Sequence, residues 1–294
     1  MTIELNGLSK TVGSKLILND IDLVLEDHKI YGLLGQNDSG KSSLMKVIMN
    51  VLLPSEGHVL IEGETGADRP EKLKQLYFLT QDDIYPKRAR VKDLVRWMAS
   101  FYKEFDTANC KRLLDTYHLD ENRRYYSLSQ KEKSLVKSSL AFSVDVDYLL
   151  LDEPGYGLDV YHRHAIYDDL LASCKRHPKT VVLASHVIDE ITAFLDEVII
   201  LEDGQILVHD SVERLANQAV LVCGAERPVR DYLQGKEILG QEYDDGFIEA
   251  VILTGEDVAD AAEELTLSRL NLQELFIQLT RDVRQAGGAG NENE

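Results

Sequence analysis

The sequence predicts an α/β protein built on a mostly parallel sheet. Short apolar runs alternate with amphipathic runs that have the 3.6-residue period of helices. The short runs are almost continuously apolar, as in strands covered on both faces. Helices between such strands form crossover connections, which make neighbouring strands parallel. The predicted strands are Ile30–Leu34, Val59–Glu62, Leu76–Leu79, Tyr148–Leu151, Thr180–Ala184 and Glu197–Leu201.

A helical insertion is predicted over about residues 88–143. Three helical runs follow one another there without a strand: VKDLVRWMASFYKEF, NCKRLLDTYH and SLVKSSLAF. The last helix carries Lys131, Lys133 and Lys137, which are predicted to form a solvated helix face.

A second, small α+β domain is predicted over residues 217–284, which leaves 1–216 as the first domain. The runs AVLVCG, PVRDYLQG, EILGQEY, FIEAVIL, DVADAAEEL and LNLQELFIQLTRDV restart the strand and helix pattern. Residues 285–294 are small and polar, and we expect a disordered tail there.

The charge of the chain excludes several classes of partner. Its 294 residues include 32 Lys and Arg against 51 Asp and Glu, a net charge of −19. Nucleic acids and anionic lipid surfaces are bound by clustered basic residues, so neither is an expected direct partner. Three cysteines without metal or pairing spacing indicate reduced thiols and a cytoplasmic chain. The sequence lacks an apolar run of roughly 18 residues, so any membrane contact is expected through another chain.

A phosphate-binding loop is predicted between an apolar strand and a helix. The segment matches GxxxxGK[ST], whose backbone N–H groups surround phosphate oxygens. The Lys41 ammonium is predicted to face the β- and γ-phosphates, and the Ser42 hydroxyl to ligate Mg²⁺. The predicted ATP-binding residues are Gly35, Gln36, Asn37, Asp38, Ser39, Gly40, Lys41, Ser42 and Ser43.

Asp38 is unusual because it places a carboxylate inside a loop that holds anions. Like charges about 4 Å apart repel by about 4 kcal/mol at an effective dielectric near 20. Aspartate nevertheless tolerates a left-handed backbone better than most residues. We therefore expect the loop to keep its shape while its affinity for phosphate is weakened.

Polar residues follow three of the predicted strands. Asp152 and Glu153 end the run YLLLDE, where Asp152 could support Mg²⁺ through water and Glu153 could polarise the attacking water. Gln81 could ligate Mg²⁺, and His186 could contact the γ-phosphate. Ligands of open α/β sheets bind outside the carboxyl ends of the strands, where all four residues are predicted to lie.

The combination of these motifs resembles the nucleotide-binding subunit of ABC transporters over residues 1–215. The resemblance implies a P-loop NTPase cassette with a mostly parallel core sheet, an antiparallel β subdomain and a helical insertion. A narrower likeness is to stand-alone ATPase subunits of bacterial exporters linked to cell-envelope antibiotic defence. The matching segments are GQNDSGKSS, Gln81, LSQKE at 128–132, LLLDEP, GLD at 157–159 and SH at 185–186.

The resemblance also implies an assembly. In the family two such subunits, as a homodimer or heterodimer, enclose two ATP molecules, and each phosphate loop faces the partner's signature segment. It implies that Ser129 and Lys131 lie at the partner's nucleotide, and that Glu153 is the catalytic carboxylate. It also implies that His186 is the switch histidine and that Gln81 couples Mg²⁺ to a separate multispanning permease. The chain is then expected at the inner face of the cell membrane, held there by the permease.

Departures from the family pattern leave a second function open. Val12 stands where an adenine-stacking aromatic is usual, Asp38 replaces a loop glycine, and Gln130 and Lys131 replace the signature glycines. All of these positions touch the nucleotide in the family. The alternative is a nucleotide-binding regulatory subunit with weak or no ATPase activity, paired with a more regular ATPase. A third possibility, an ATPase acting on ribosomes or DNA, is disfavoured by the single cassette and the absence of a basic domain.

Overall fold

The structure is a computed structural model that describes residues 2–65, 71–244, 246–255 and 265–281. The chain forms two compact units. The first comprises Met1–Tyr31 and Lys41–His186, and the second comprises Gly32–Gly40 and Val187–Glu294.

The described residues fold into strands and helices whose bounds follow. The strands are β1 (Thr2–Val12), β2 (Lys15–Glu26), β3 (Ile30–Leu34), β4 (Glu56–Ile61), β5 (Glu64–Thr65), β6 (Leu76–Leu79), β7 (Tyr148–Asp152), β8 (Thr180–Ala184), β9 (Glu197–Glu202), β10 (Gln205–Ser211), β11 (Ala219–Ala225), β12 (Glu237–Asp244), β13 (Phe247–Leu253) and β14 (Leu265–Arg269). The α-helices are α1 (Lys41–Ile48), α2 (Val91–Phe101), α3 (Thr107–Thr116), α4 (Gln130–Ala141), α5 (Val160–Arg176), α6 (Ile188–Ile191), α7 (Val212–Gln218), α8 (Glu226–Leu233) and α9 (Leu272–Arg281).

The first unit contains an antiparallel sheet in the order β2-β1-β4-β5. Ile3, Leu5 and Leu8 of β1 are buried while intervening residues are more exposed, as expected of a sheet with one solvated face. The predicted strand at Val59–Glu62 belongs to this sheet, because β4 pairs antiparallel with β1. Its assignment to the doubly covered parallel sheet was therefore wrong, and β4 differs from the fully buried parallel strands because only Ile61 is buried in it.

The first unit also contains three parallel strands that position polar residues. β7 pairs in parallel with β6 on one side and β8 on the other, and the last residues paired are Asp152 and Ala184. Every residue of β7 and β8 is buried, which confirms the prediction from their continuous apolar runs. Because parallel strands end at the same edge of a sheet, the residues that follow β6, β7 and β8 emerge along one edge.

Helices α2, α3 and α4 pack together in the first unit, within the predicted insertion. Asp106 is the N-cap residue of α3, and its carboxylate accepts a hydrogen bond from the Asn109 N–H at 2.8 Å. Ser129 is the N-cap residue of α4 and forms a capping box with Glu132. These caps satisfy N–H groups that have no partner within a helix.

The second unit contains an antiparallel sheet in the order β12-β13-β11-β14. Helix α8 packs on one face through Val229 and Leu233, which share an apolar cluster with Val220, Val222 and Ile248. The predicted runs over 219–253 and 270–281 thus form strands and helices as expected. The run DVADAAEEL falls mostly outside the described residues, as does the predicted tail at 285–294, and the boundary at residue 217 stays a prediction.

Among the helices that the structure describes, each is too short or too polar to cross a membrane.

Candidate functional site

The phosphate loop has the context that its motif requires. Strand β3 ends at Leu34, the loop follows, and α1 begins at Lys41. A side chain at Gly35 would collide with the Leu201 carbonyl and the Ser39 hydroxyl, so only glycine fits there. The loop is held further by the Gln36 N–H, which donates to the buried Glu202 carboxylate at 3.1 Å.

Asp38 adopts a left-handed backbone with a φ of 66°. This conformation favours glycine, and aspartate is among the few other residues that adopt it readily. The structure thus agrees with the expectation that the loop keeps its shape. The Asp38 side chain is exposed, and Gly40, two residues on, has a φ of 110°.

Lys41, Ser42 and Asp152 form a charged cluster in the first unit. The Asp152 carboxyl is 4% exposed, and burial raises its pKa above the ordinary value. A hydrogen bond from Ser42 and the charges of Lys46 and Lys41 oppose that rise. Burying a carboxylate is costly unless it gains a hydrogen bond or an opposite charge, and Asp152 has both.

Glu153 and His186 meet at the ends of β7 and β8. The His186 Nδ1 lies 2.7 Å from the Glu153 Oε2, and the Glu153 N–H donates to the Ala184 carbonyl at 3.1 Å. Glu153 has a φ of 51°, a conformation that glutamate adopts rarely. Burial raises the pKa of the Glu153 carboxyl above its ordinary value. The charge of His186 and its hydrogen bond to the carboxylate act in the opposite direction but do not outweigh burial. A largely shielded carboxylate with a strained backbone and a histidine partner is typical of functional sites.

Gln81 follows β6 as predicted, and its side chain is exposed. The turn around Gln81 is held by Lys137, which the sequence pattern predicts to be solvated. The Lys137 Nζ of α4 donates to the carbonyls of Thr80, Gln81 and Asp82 at 3.0, 2.8 and 3.0 Å. Lys137 is 5% exposed, so its assignment to a solvated helix face was wrong.

Asp83 extends this attachment of the turn to α4. Its carboxylate accepts hydrogen bonds from Lys133 at 2.5 Å and Tyr125 at 2.8 Å. Burial acts to raise the pKa of Asp83, but these hydrogen bonds outweigh it and hold the pKa below its usual range. The other buried residues of α4 are apolar or small. A lysine among such residues was the feature of the sequence that could have indicated a buried Lys137.

A groove of about 420 Å³ lies beside this turn, within the first unit. Aromatic and apolar side chains line much of it. The lining includes Tyr77, Ile84, Tyr85, Met98, Tyr102 and Lys137.

Side chains of the signature segment, residues 128–132, have partners within the chain. The Ser129 Oγ accepts from the Glu132 N–H at 3.3 Å, and the Glu132 carboxylate accepts from the Ser129 N–H at 2.7 Å. Glu132 therefore completes a capping box. Gln130 lies beneath Gly157, where a Cβ would come 2.7 Å from the Gln130 Cγ. The Lys131 ammonium lies 3.0 Å from the Asp159 carboxylate, so both residues have a partner within the chain.

Val12 lies at the end of β1, at the turn into β2, and is 54% exposed. An exposed valine has no π-face on which a base could stack.

The donor set suits magnesium bound together with a phosphate ligand. Among the residues that the structure describes, no group of three His, Cys, Asp or Glu could hold a metal by itself. Mg²⁺ is commonly held through one or two protein oxygens, with water and substrate phosphates completing its shell. Ser42 and Asp152 are hydrogen-bonded to each other and supply such oxygens. Gln81 follows β6 at the same edge of the sheet as Asp152, and this position alone associates it with the two residues.

The sequence is similar to a known family and to known proteins. The family model described as ABC transporter matches residues 18–155. The ABC transporter ATP-binding protein YtrB of Bacillus subtilis is 30% identical over 206 residues, which cover 69% of this chain and 70% of YtrB. The Nod factor export ATP-binding protein I of Rhizobium johnstonii is 30% identical over 213 residues, 70% of this chain and 68% of the relative.

A solved structure described as the ATP-binding subunit of an ABC transporter shares the fold. It superposes with a TM-score of 0.66 at 22% identity, over 73% of this chain and 92% of that one. The predicted fold class is confirmed by this match. Together with the phosphate loop, the acidic strand end and the two relatives, it shows that the chain belongs to the family of ABC transporter ATP-binding subunits.

Proposed function

We propose that this chain is the ATP-hydrolysing subunit of an ABC exporter and drives transport through a separate permease by ATP-dependent dimerisation. The observation that carries the proposal is the contact between Glu153 and His186, in the unit that also holds Lys41, Ser42 and Asp152. A shielded carboxylate with a raised pKa and a histidine partner is the arrangement that general base catalysis requires.

The phosphate-binding role belongs to residues 35–43. The backbone N–H groups of Gly35, Gln36, Asn37, Asp38, Ser39, Gly40, Lys41, Ser42 and Ser43 are proposed to surround the phosphates of ATP. The Lys41 ammonium adds a point charge for the β- and γ-phosphates. Mg²⁺, when bound with ATP, neutralises phosphate charge, and Ser42, Asp152 and Gln81 would hold it.

Glu153 is proposed to polarise the attacking water. Its carboxyl is largely shielded from solvent and its pKa is raised, so the carboxylate is a stronger base than an exposed glutamate. His186, 2.7 Å away, holds the carboxylate in place and can face the γ-phosphate with its second ring nitrogen. Gln81 is proposed to position the same water or the metal.

Two copies, or this chain with another ATP-binding subunit, are proposed to close over two ATP molecules, as in the family. Ser129 and Lys131 would then face the partner's nucleotide. The Lys131–Asp159 ion pair is exposed on both sides, and such pairs are worth only about 0–1 kcal/mol. A phosphate group could therefore replace Asp159 as the partner of Lys131 at small cost.

The permease is proposed to contact the groove beside Gln81. Its apolar lining suits a segment of a partner chain, and Lys137 fixes the adjoining turn to α4. Motion of α4 would thus be passed to this turn. Contact with the membrane would occur only through the permease, at the inner face of the cell membrane.

Export is proposed because one of the relatives is named for Nod factor export and the sequence resembles exporter ATPases. The alternative of an inactive regulatory subunit is not favoured, since the departures at Val12, Asp38 and the signature leave the Glu153–His186 contact intact.

Two measurements test this function. The chain should copurify with a multispanning membrane protein encoded beside it, and a chain that stays alone while that protein is present contradicts the transport role. The pure protein should release phosphate at about 1 per second. Glu153→Gln should abolish this release, and absence of turnover in the unchanged chain together with the permease contradicts the hydrolytic role.

A further inference from the structure

Helix α9 joins the C-terminal sheet to the phosphate loop within the second unit. Its N-terminus is fixed by a capping box, in which the Asn271 Oδ1 accepts from the Glu274 N–H at 2.8 Å and the Glu274 carboxylate accepts from the Asn271 N–H at 2.9 Å. Leu272, Leu275 and Leu279 are buried at helical spacing. The helix is therefore an anchored element of the sheet domain and has a defined position.

The sheet is shaped to receive this helix. Gly240 of β12 lies at an irregularity in the pairing with β13. A Cβ at Gly240 would come 2.8 Å from the Leu279 Cδ2, so the missing side chain gives α9 room to approach the strand.

The last described turn of α9 contacts the phosphate loop directly. The Gln36 Nε2 donates to the Thr280 carbonyl at 2.8 Å. Thr280 is 4% exposed, so the bond between its carbonyl and the Gln36 amide is shielded from water, which strengthens it relative to a surface hydrogen bond. The contact is therefore favourable for both groups.

The N-terminal end of α9 contacts α6, which begins two residues after His186. With its nitrogen turned toward the carboxylate, the Gln273 amide donates to Asp189 Oδ1 at 3.1 Å and Oδ2 at 2.7 Å. A carboxylate only accepts hydrogen bonds, which decides the orientation of the amide. Both side chains are exposed, so this contact is weaker than the one at Thr280.

We propose that α9 is a positioning element for nucleotide binding, which holds the phosphate loop through Gln36 and Thr280 and holds α6 through Gln273 and Asp189. The C-terminal domain is thereby given a role in ATP affinity that its sequence does not reveal. Because the Gln36 side chain orders the loop before nucleotide arrives, losing its bond should weaken ATP binding. By thermodynamic reciprocity, ATP should in turn stabilise α9.

Variants of the full chain test whether the contacts of α9 strengthen ATP binding. MgATP binding is measured by titration with a fluorescent ATP analogue. Gln36→Met keeps the size of the side chain and removes the donor, and its Kd should rise about fivefold, the effect of one hydrogen bond. Gln273→Met should raise the Kd about twofold, because that contact is exposed. Ile277→Ser, an exposed position on the same helix, is the matched control and should leave the Kd unchanged.

Amide hydrogen exchange tests whether ATP in turn stabilises α9. Saturating MgATP should slow exchange in α9 of the unchanged chain by about fivefold, and Gln36→Met should lose this response. A merely structural role for Gln36 would lower the melting temperature without uncoupling α9 from the nucleotide. Unchanged exchange in α9 on adding MgATP, or a wild-type Kd for Gln36→Met, overturns the inference.

The inference rests on the nucleotide binding of the proposed function and on neither hydrolysis nor export. A chain that binds no MgATP overturns both. A chain that binds MgATP normally while α9 does not respond overturns this inference alone.

Discussion

The His186 Nδ1 lies 2.7 Å from the Glu153 Oε2, and this contact joins the residues that follow two neighbouring parallel strands. The two side chains are 33 positions apart in the chain. Glu153 is well shielded from solvent while His186 is exposed, so the carboxylate is held from the protein side and the imidazole can reach a ligand.

The Glu153→Gln variant should lose hydrolysis and keep nucleotide binding. The amide has nearly the same shape but cannot act as a base, and general base catalysis commonly contributes about 100-fold or more. Phosphate release should fall by at least that factor, while a fluorescent-ATP titration gives a Kd near that of the unchanged chain. Turnover that survives the substitution would assign the base to another residue.

Glu153→Gln should also stabilise the protein at neutral pH. Burial raises the pKa of the carboxyl above the usual 4.5, so the folded chain binds the proton more tightly than the unfolded chain. Stability from this group is present below the unfolded pKa and is lost as pH rises through the folded pKa. Melting temperatures measured from about pH 5 to 8 should show the gain over the unchanged chain growing with pH. The exposed Glu213→Gln is the control, and an equal, pH-dependent gain there would contradict the burial argument.

Asp38→Gly should tighten ATP binding. The substitution removes a carboxylate from the phosphate loop and supplies a residue that adopts the observed φ of 66° freely. Because water and Mg²⁺ relieve most of the bare repulsion, we expect a fall in Kd of roughly tenfold. Asp38→Asn separates the two causes, since asparagine tolerates the same backbone without the charge. Unchanged or weaker binding by Asp38→Gly would refute the prediction.

Val12→Tyr should tighten ATP binding through stacking on the adenine. Base–aromatic stacking is worth about 1–3 kcal/mol, so the Kd should fall by roughly tenfold. Val12→Leu enlarges the side chain without a π-face and should leave the Kd nearly unchanged. Equal effects of the two substitutions would mean that the base lies elsewhere.

Lys137→Met should destabilise the fold by about 3 kcal/mol, as expected when one partner of a buried ionic network is removed. The methionine leaves the carbonyls of Thr80, Gln81 and Asp82 without their donor. Urea unfolding followed by circular dichroism measures the change. Lys131→Met on the same helix breaks only an exposed pair and should cost about 0.5 kcal/mol or less. A similar loss in both variants would contradict the special role of Lys137.

Much of the fold could be predicted because buried parallel strands have a recognisable sequence pattern. Strands Ile30–Leu34, Leu76–Leu79 and Thr180–Ala184 have the predicted bounds. Val59–Glu62 was placed in the wrong sheet, because a short apolar run does not reveal which strand it pairs with.

The sequence by itself determined those parts of the candidate site that consist of residues adjacent in the chain. A contiguous loop from Gly35 to Ser42 and carboxylates at the end of an apolar strand are visible because neighbouring residues alone define them. Only the tertiary structure decided that Lys137 is buried beneath the turn at Gln81, and that the Gln36 side chain bonds the Thr280 carbonyl, 244 residues away. Contacts at that separation depend on how whole elements pack, and neither hydrophobic period nor residue type records which distant carbonyl a side chain will meet.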